Sequence, residues 1–335
     1  LDGVQFALLA GGTTLAVIAF TAIPGIVLSA QGVRWRMRWA PKDPLVMSLR
    51  GAIGWAMLSV VGTLVPMGAA MVLGSGAEGG VAVFTIAFTF FVLPHALLAV
   101  PVATALAPRV ADAWQRGRRQ EAADLVERSV SVVVPLLAFA TAGLIALAFP
   151  IAQFVASLGQ AGSQGAAPIA HAVATFGTGL MGYGIAVIMI RVMFGLDEVR
   201  RAAQLVIASA VTGVVVMAVA AAWMAESDRA AALALGYGMA QTVSAVLLTR
   251  RVRATIGAPR WAAIARLVVG STVAAVAATV VMLVVQRPFG EDRLGALTAI
   301  VAAATVGAVV FVAVLVPVAG VRPGSLSKRG GGRDR

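Results

Sequence analysis

The sequence predicts an all-α protein, a polytopic membrane helical bundle of about nine transmembrane helices. Three observations predict it. The 335 residues are 60% hydrophobic and only 12% charged, with a mean hydropathy of +0.94, whereas a soluble domain carries about a quarter charged residues. Apolar runs of about 20 residues, the length that spans a ~30 Å hydrocarbon core, recur along the chain. The basic residues gather in alternate connecting segments.

Nine runs qualify as spans. Leu9–Ala30 is uncharged, and Leu49–Leu73 carries a single charge, Arg50, at its start. Val81–Ala107 has no Asp, Glu, Lys or Arg. Val130–Val155 is a long apolar stretch, His171–Phe194 is rich in glycine, Ala203–Ala225 is dominated by Ala and Val, and Ala230–Thr249 by Ala and Leu. Leu267–Gln286 and Gly295–Val318 complete the set.

Charge gives the topology. Arg34, Arg36, Arg38, Lys42 and Arg50 follow or adjoin the first span; Arg109, Arg116, Arg118, Arg119 and Arg128 follow the third. Arg191, Arg200 and Arg201 flank the end of the fifth, and Arg250, Arg251, Arg253, Arg260 and Arg266 follow the seventh. The tail carries Arg322, Lys328, Arg329, Arg333 and Arg335. Of the 26 basic residues only Arg229, Arg287 and Arg293 fall on the other side. The positive-inside rule therefore puts the C-terminus in the cytoplasm and the first residue outside, as an odd number of spans requires. The net charge of +12 is thereby explained without nucleic acid, because the cations are spread over every inner loop rather than gathered in one stripe. Anionic lipids at the cytoplasmic loops are the expected partners. Trp35, Trp39, Trp223 and Trp261 fall at span ends, as an aromatic belt does.

Between the spans, Gln120–Arg128 places Ala122, Leu125 and Val126 opposite Glu121, Asp124, Glu127 and Arg128. It reads either as a short amphipathic surface helix or as a solvated connector. Ala156–Ala170 is uncharged and small-residue-rich, a surface loop without a binding motif. The first residue is Leu and no signal peptide precedes the first span, so the chain reads as the later part of a longer protein.

The chemistry is sparse. There is no cysteine, which excludes disulfides and thiolate sites, and two histidines are too few for a histidine metal cluster. No catalytic triad, acid pair, nucleotide loop or metal signature is present; the expectation is no enzyme, no cofactor and no metal. No span holds an Asp or Glu, which counts against a carboxylate-coupled pump. The third span is the unusual one. Pro94, Pro101 and Pro108 recur every seven residues, nearly on one face, since two helical turns drift by only ~20°. His95 is the one ionisable group near a bilayer midplane, which makes it a candidate site; a neutral ring bonded to a carbonyl freed by Pro94 is the structural alternative. Arg191 either snorkels to the interface or meets a phosphate. Phe176–Gly184, with glycines at 177, 179, 182 and 184, reads as close helix packing rather than a phosphate cradle.

Leu93–Ala113 (LPHALLAVPVATALAPRVADA) resembles the proline-containing segment of the MurJ/MviN lipid II flippases of the MOP superfamily, the matching positions being Pro94, Leu97, Val100, Pro101, Thr104 and Pro108. Ile190–Ala202 (IRVMFGLDEVRRA) is similar to a second family signature through Arg191, Phe194, Leu196 and Asp197, while Gly195 and the residues after Asp197 depart. The order of all nine spans fits as well. The resemblance implies two six-helix lobes plus two extra helices. Residues 1–30 would then end the first lobe, and 31–48 would form a basic cytoplasmic inter-lobe linker. Residues 49–249 would be the second lobe, 250–266 a basic cytoplasmic loop, 267–318 the extra pair and 319–335 a basic tail. It implies movement of an undecaprenyl-linked peptidoglycan precursor across the bacterial cytoplasmic membrane by alternating access, with Thr89, Pro94, His95, Pro101 and Arg191 as substrate-path candidates and cell-wall synthesis proteins as partners. A flippase for another lipid-linked saccharide, a MOP-type antiporter, or a non-transporting scaffold are the alternatives. One departure stands out: where the family commonly has a cavity-facing Asp-Arg pair, this chain has Phe88 and Thr89.

Overall fold

A computed structural model describes residues 3–32, 43–157, 165–257, 261–290 and 293–319. Ten α-helices fill them: α1 (Gly3–Ala30), α2 (Pro44–Gly74), α3 (Gly80–Gln115), α4 (Arg119–Ala146), α5 (Ala148–Ala156), α6 (Ala166–Gly195), α7 (Val199–Trp223), α8 (Arg229–Ile256), α9 (Trp261–Val285) and α10 (Arg293–Ala319). There is no strand among the described residues. Eight helices are long and apolar enough to cross a membrane, and α1 adds a shorter apolar stretch, Thr14–Ala30. The all-helical membrane architecture is therefore the one that composition and run length predicted.

The chain divides into two units, Leu1–Gly51 and Ala52–Arg335. The first is dominated by α1, whose Thr21 and Ser29 hydroxyls donate to the carbonyls of Val17 and Ile26 one turn back. The second is built around α6, which packs on α3, α4, α5 and α8; α8 in turn packs on α7. The α9–α10 pair attaches through α9 to α4 and through α10 to α5.

Small residues decide this arrangement. Lipid tails are as apolar as leucine, so helices associate in a membrane by close packing rather than by hydrophobic exclusion. Gly179 lies so near Gly238 of α8 that a β-carbon there would sit 2.4 Å from the Gly238 Cα. Gly182 abuts Thr242 one turn further on. Gly177 and Gly184 instead accept α4, through Leu144 and Ile145 and through Leu137. The Phe176–Gly184 stretch is thus a packing device with two faces. The exposed part of α2 in the second unit buries only Ser59, Gly62, Pro66, Ala70 and Gly74, a stripe of small residues, with Gly62 against Val206 and Ile207 of α7.

Three details differ from the sequence reading. Val130–Val155 is not one helix: α4 ends at Ala146 and α5 begins at Ala148. Pro150 carries no amide hydrogen and its ring collides with the carbonyl four residues back, that of Ala146. Gln120–Arg128 is neither a separate surface helix nor a connector, but the first turns of α4, with Ala122 and Val126 buried. The third span runs on as helix to Gln115, past all three prolines. Trp35, Trp39, residues 158–164 of the small-residue loop, and the tail from 320 onward lie outside the described residues.

Candidate functional site

The two faces of α3 have different chemistry. The inner face carries Phe84, Ala87, Phe91, His95, Ala99, Ala103, Leu106 and Val110, all buried at helical spacing. Phe84, Phe88 and Phe91 meet Phe176 of α6 at centroid distances of 5.2, 5.8 and 4.9 Å. Phe88 and Phe91 also meet Tyr237 of α8 edge-on, at 5.3 and 5.8 Å. The result is an aromatic core joining α3, α6 and α8.

His95 closes the central end of that core. Its ring is 4% exposed and stacks on Tyr183 of α6, with centroids 3.9 Å apart and planes 25° from parallel. Its Nδ1 is buried with no hydrogen-bond partner. The expected carbonyl partner for this nitrogen is therefore absent, and stacking holds the ring instead. The Tyr237 hydroxyl is engaged with the side chains of Tyr183 and Gln241. Gln241 borders a water-sized cavity of about 10 Å³ lined also by Thr63, Ser209 and Ser244, between α2, α7 and α8.

The outer face of α3 carries Thr89, Leu93, Leu97, Val100, Pro101, Thr104 and Pro108, all exposed, with Pro94 half-buried at its edge. The hydroxyls of Thr85, Thr89 and Thr104 donate to the carbonyls of Val81, Thr85 and Val100. Of the five candidates, Thr89 and Pro101 thus share the outer face, while His95 points to the opposite side. Arg191 is exposed on α6 and makes no ion pair with a described residue. It lies eight residues beyond Tyr183, about 12 Å along the axis, and does not converge with His95. Phe88 and Thr89 also part company: Phe88 joins the aromatic core and Thr89 faces out.

The two sequence motifs meet at the basic end of the bundle. Gly195 sits against the Ala107 carbonyl and the Ala111 amide, so the end of α6 rests directly on α3. A cleft of about 470 Å³ opens there, lined by Ala111, Trp114, Gln115, Phe194, Gly195 and Asp197. Asp197 takes a left-handed φ of 60°, which aspartate tolerates better than most residues. The next residue, Glu198, is gripped by Arg251 of α8 through two hydrogen bonds of 2.6 and 2.8 Å, and by the Thr255 hydroxyl at 2.8 Å. Burial raises the Glu198 carboxyl, but the bonds from Arg251 and Thr255 and the charges of Arg251 and Arg201 outweigh it and hold it below the ordinary carboxylate range. At the opposite end of the bundle, His171 Nδ1 lies 2.7 Å from Asp228.

Sequence reasoning missed Tyr183, Tyr237 and the Glu198–Arg251–Thr255 clamp. A signal for the tyrosines existed. They are the only two in the chain, and each stands in a Gly-Tyr-Gly tripeptide, 182–184 and 236–238. Gly182 and Gly238 lie where α6 and α8 come together, and the tyrosines then meet at 6.2 Å. No cluster of three or more His, Cys, Asp or Glu capable of holding a metal is present among the described residues.

A family model described as lipid II flippase MurJ matches residues 2–316. A curated relative, the probable lipid II flippase MurJ of Rhizobium meliloti (strain 1021), is 27% identical over 196 residues, covering 58% of this chain and 36% of the relative. A solved structure of lipid II flippase MurJ in an inward closed conformation superposes with a TM-score of 0.62 at 17% identity, over 84% of this chain and 56% of that one. At that identity the likeness is one of fold. The chain spans about a third of the curated relative and just over half of the solved structure.

Proposed function

The chain belongs to the lipid II flippase MurJ family, and from that premise we propose that it is part of a transporter that moves lipid-linked peptidoglycan precursor across the bacterial cytoplasmic membrane. The family match over residues 2–316 carries this reading; the helix order supports it. In this assignment α1 closes a first lobe, the segment between α1 and α2 links the lobes, α2 to α8 form the second lobe, and α9 and α10 are the additional pair. The basic end of the bundle faces the cytoplasm, where Arg191, Arg200 and the exposed arginines after α3 attract anionic headgroups. The outer face of α3, with Thr89 and Pro101, borders the substrate path. The reaction is translocation without bond-making, so no catalytic group is required; binding energy differs between inward- and outward-open states.

The departure at Phe88–Thr89 shapes the mechanism. With Phe88 locked into the aromatic core and Thr89 neutral, this stretch of α3 offers no cation to a pyrophosphate. The charged group is met elsewhere, and α3 contributes neutral contacts. Depletion of the full-length protein in cells, followed by an assay of outer-leaflet lipid II, tests the reading. Loss of outer-leaflet lipid II on depletion is expected. Unchanged exposure would favour a scaffolding role for cell-wall synthesis proteins and overturn transport.

A further inference from the structure

Three carbonyls on α3 have lost their helical donor. Proline has no amide hydrogen, so Pro94, Pro101 and Pro108 leave the carbonyls of Phe90, Leu97 and Thr104 without the bond that would close on them. The neighbouring hydroxyls do not repair this: Thr85, Thr89 and Thr104 donate to Val81, Thr85 and Val100 instead. Leu97 is 68% exposed, Thr104 is exposed and Phe90 is half-buried, and their seven-residue spacing sets the three residues one above another along the outer face. Hydrocarbon cannot satisfy the freed carbonyls, and unsatisfied backbone at membrane depth occurs only where it meets protein or lines a wet cavity. From Pro94 to Pro108 the same face bears no charge. It therefore offers acceptors without cations, separated by seven residues or about 10.5 Å of helix, a length of the order of a disaccharide.

We infer that the carbonyls of Phe90, Leu97 and Thr104 form an acceptor ladder that binds the hydroxyl and amide donors of the saccharide headgroup, taking the place of a charged contact on this helix. The inference rests on the flippase reading and specifies which part of the substrate α3 touches. Water occupies the ladder when no substrate is bound. The leucine and valine side chains between the acceptors supply the apolar surface on which sugar rings lie. A phosphate, which only accepts at these positions, is excluded by the same carbonyls.

The test uses full-length protein in proteoliposomes and two probes, lipid II and undecaprenyl pyrophosphate without sugar. Each of Pro94→Ala, Pro101→Ala and Pro108→Ala restores an amide donor to one rung. Pro101→Ala is expected to weaken lipid II binding three- to tenfold while the sugar-free lipid binds within twofold of wild type. Equal loss for both probes, the signature of a changed helix shape, would overturn the ladder, as would no loss for either. If wild-type protein binds neither probe, the flippase reading fails first and takes the ladder with it. As a second measurement, single cysteines at Leu97 and Thr104 in a cysteine-free background are expected to react with a membrane-impermeant thiol reagent, with a cysteine at the exposed Val211 of α7 unreactive. Silence at both α3 positions with and without substrate would refute a wet face.

Discussion

Replacing Gly179 by alanine should damage the bundle far more than replacing Gly238, although the two glycines touch each other. A β-carbon at 179 would lie 2.4 Å from the Gly238 Cα, with the Gly238 carbonyl carbon and oxygen at 3.2 and 3.3 Å. These are backbone atoms, and no rotamer change can move them. Carbon atoms rest about 3.5–4.0 Å apart, so α6 and α8 must separate by roughly 1.1–1.6 Å at this point. The same displacement loosens Gly182 against Thr242 and the aromatic contacts beside it. Overpacking of this kind costs up to about 3 kcal/mol. At 238 the added carbon meets the Gly179 Cα at 3.2 Å and its nitrogen at 3.5 Å. A shift of a few tenths of an ångström relieves that, and the helix-propensity gain of alanine over glycine, up to about 1 kcal/mol, offsets it. The expected gap between the variants is therefore about 2 kcal/mol, roughly thirtyfold in the unfolding equilibrium. Reversible unfolding in mixed micelles, followed by tryptophan fluorescence, measures it. Equal stability of the two variants, or a Gly179→Ala protein as stable as wild type, would refute the account of α6 as a helix held by backbone approach.

Gly184→Ala drives its new carbon into the Leu137 side chain; adding Leu137→Ala should recover about 1–2 kcal/mol of the combined single-variant losses, and simple additivity in the same unfolding assay would show that the contact is not the cause. Glu198→Gln should lower stability by about 1 kcal/mol, kept small because the Arg251 side chain is 42% exposed. Since the folded Glu198 carboxyl is depressed, its contribution is complete above the unfolded value and disappears as pH falls through the folded one. The difference between wild type and Glu198→Gln should accordingly shrink on acidification, and a difference that grew would reverse the assignment. His95→Phe should stay within about 1 kcal/mol of wild type, because it keeps the stack on Tyr183 and removes an unpartnered nitrogen. His95→Ala should lose about 1–3 kcal/mol to the void; transport lost in His95→Phe but stability retained would give the imidazole a chemical role.

The membrane class was readable because its signals are summed over many residues. Span length and arginine placement do not depend on which helix meets which. Of α3, the seven-residue proline repeat and its shared face were readable, while the buried face of Phe84, Phe91, His95 and Ala99 came only from the structure. Contacts between helices were not readable. Nothing adjacent to His95 announces that Tyr183 will cover it, since that depends on how α3 crosses α6. Glu198 stands in the turn before α7 and Arg251 in the last turns of α8, 53 residues on, and only the close approach of α6 to α8 pairs them. The break at Leu147 was missed because residues on both sides are apolar. Pro150 marked it, but three prolines in α3 and one in α4 are carried without a break, so proline alone does not decide. The candidate path residues were grouped through the family resemblance, whereas a rotation of about 100° per residue sets His95 and Pro101 on different sides of α3.

The alanine face of α4, formed by Ala138, Ala142 and Ala146, packs against Ala274, Ala275 and Ala278 of α9. A ribosome delivers α4 long before α9, and four further helices emerge between them. In water such a face would be an aggregation hazard during that wait. In a bilayer it is simply lipidated, because methyl groups and acyl chains solvate each other well. The nascent chain can therefore leave a joint unfinished while α6 and α8 lock, and the later α9–α10 hairpin displaces lipid to complete it. Truncation before α9 should then yield a protein that inserts and remains soluble in the membrane, missing a clasp rather than a core.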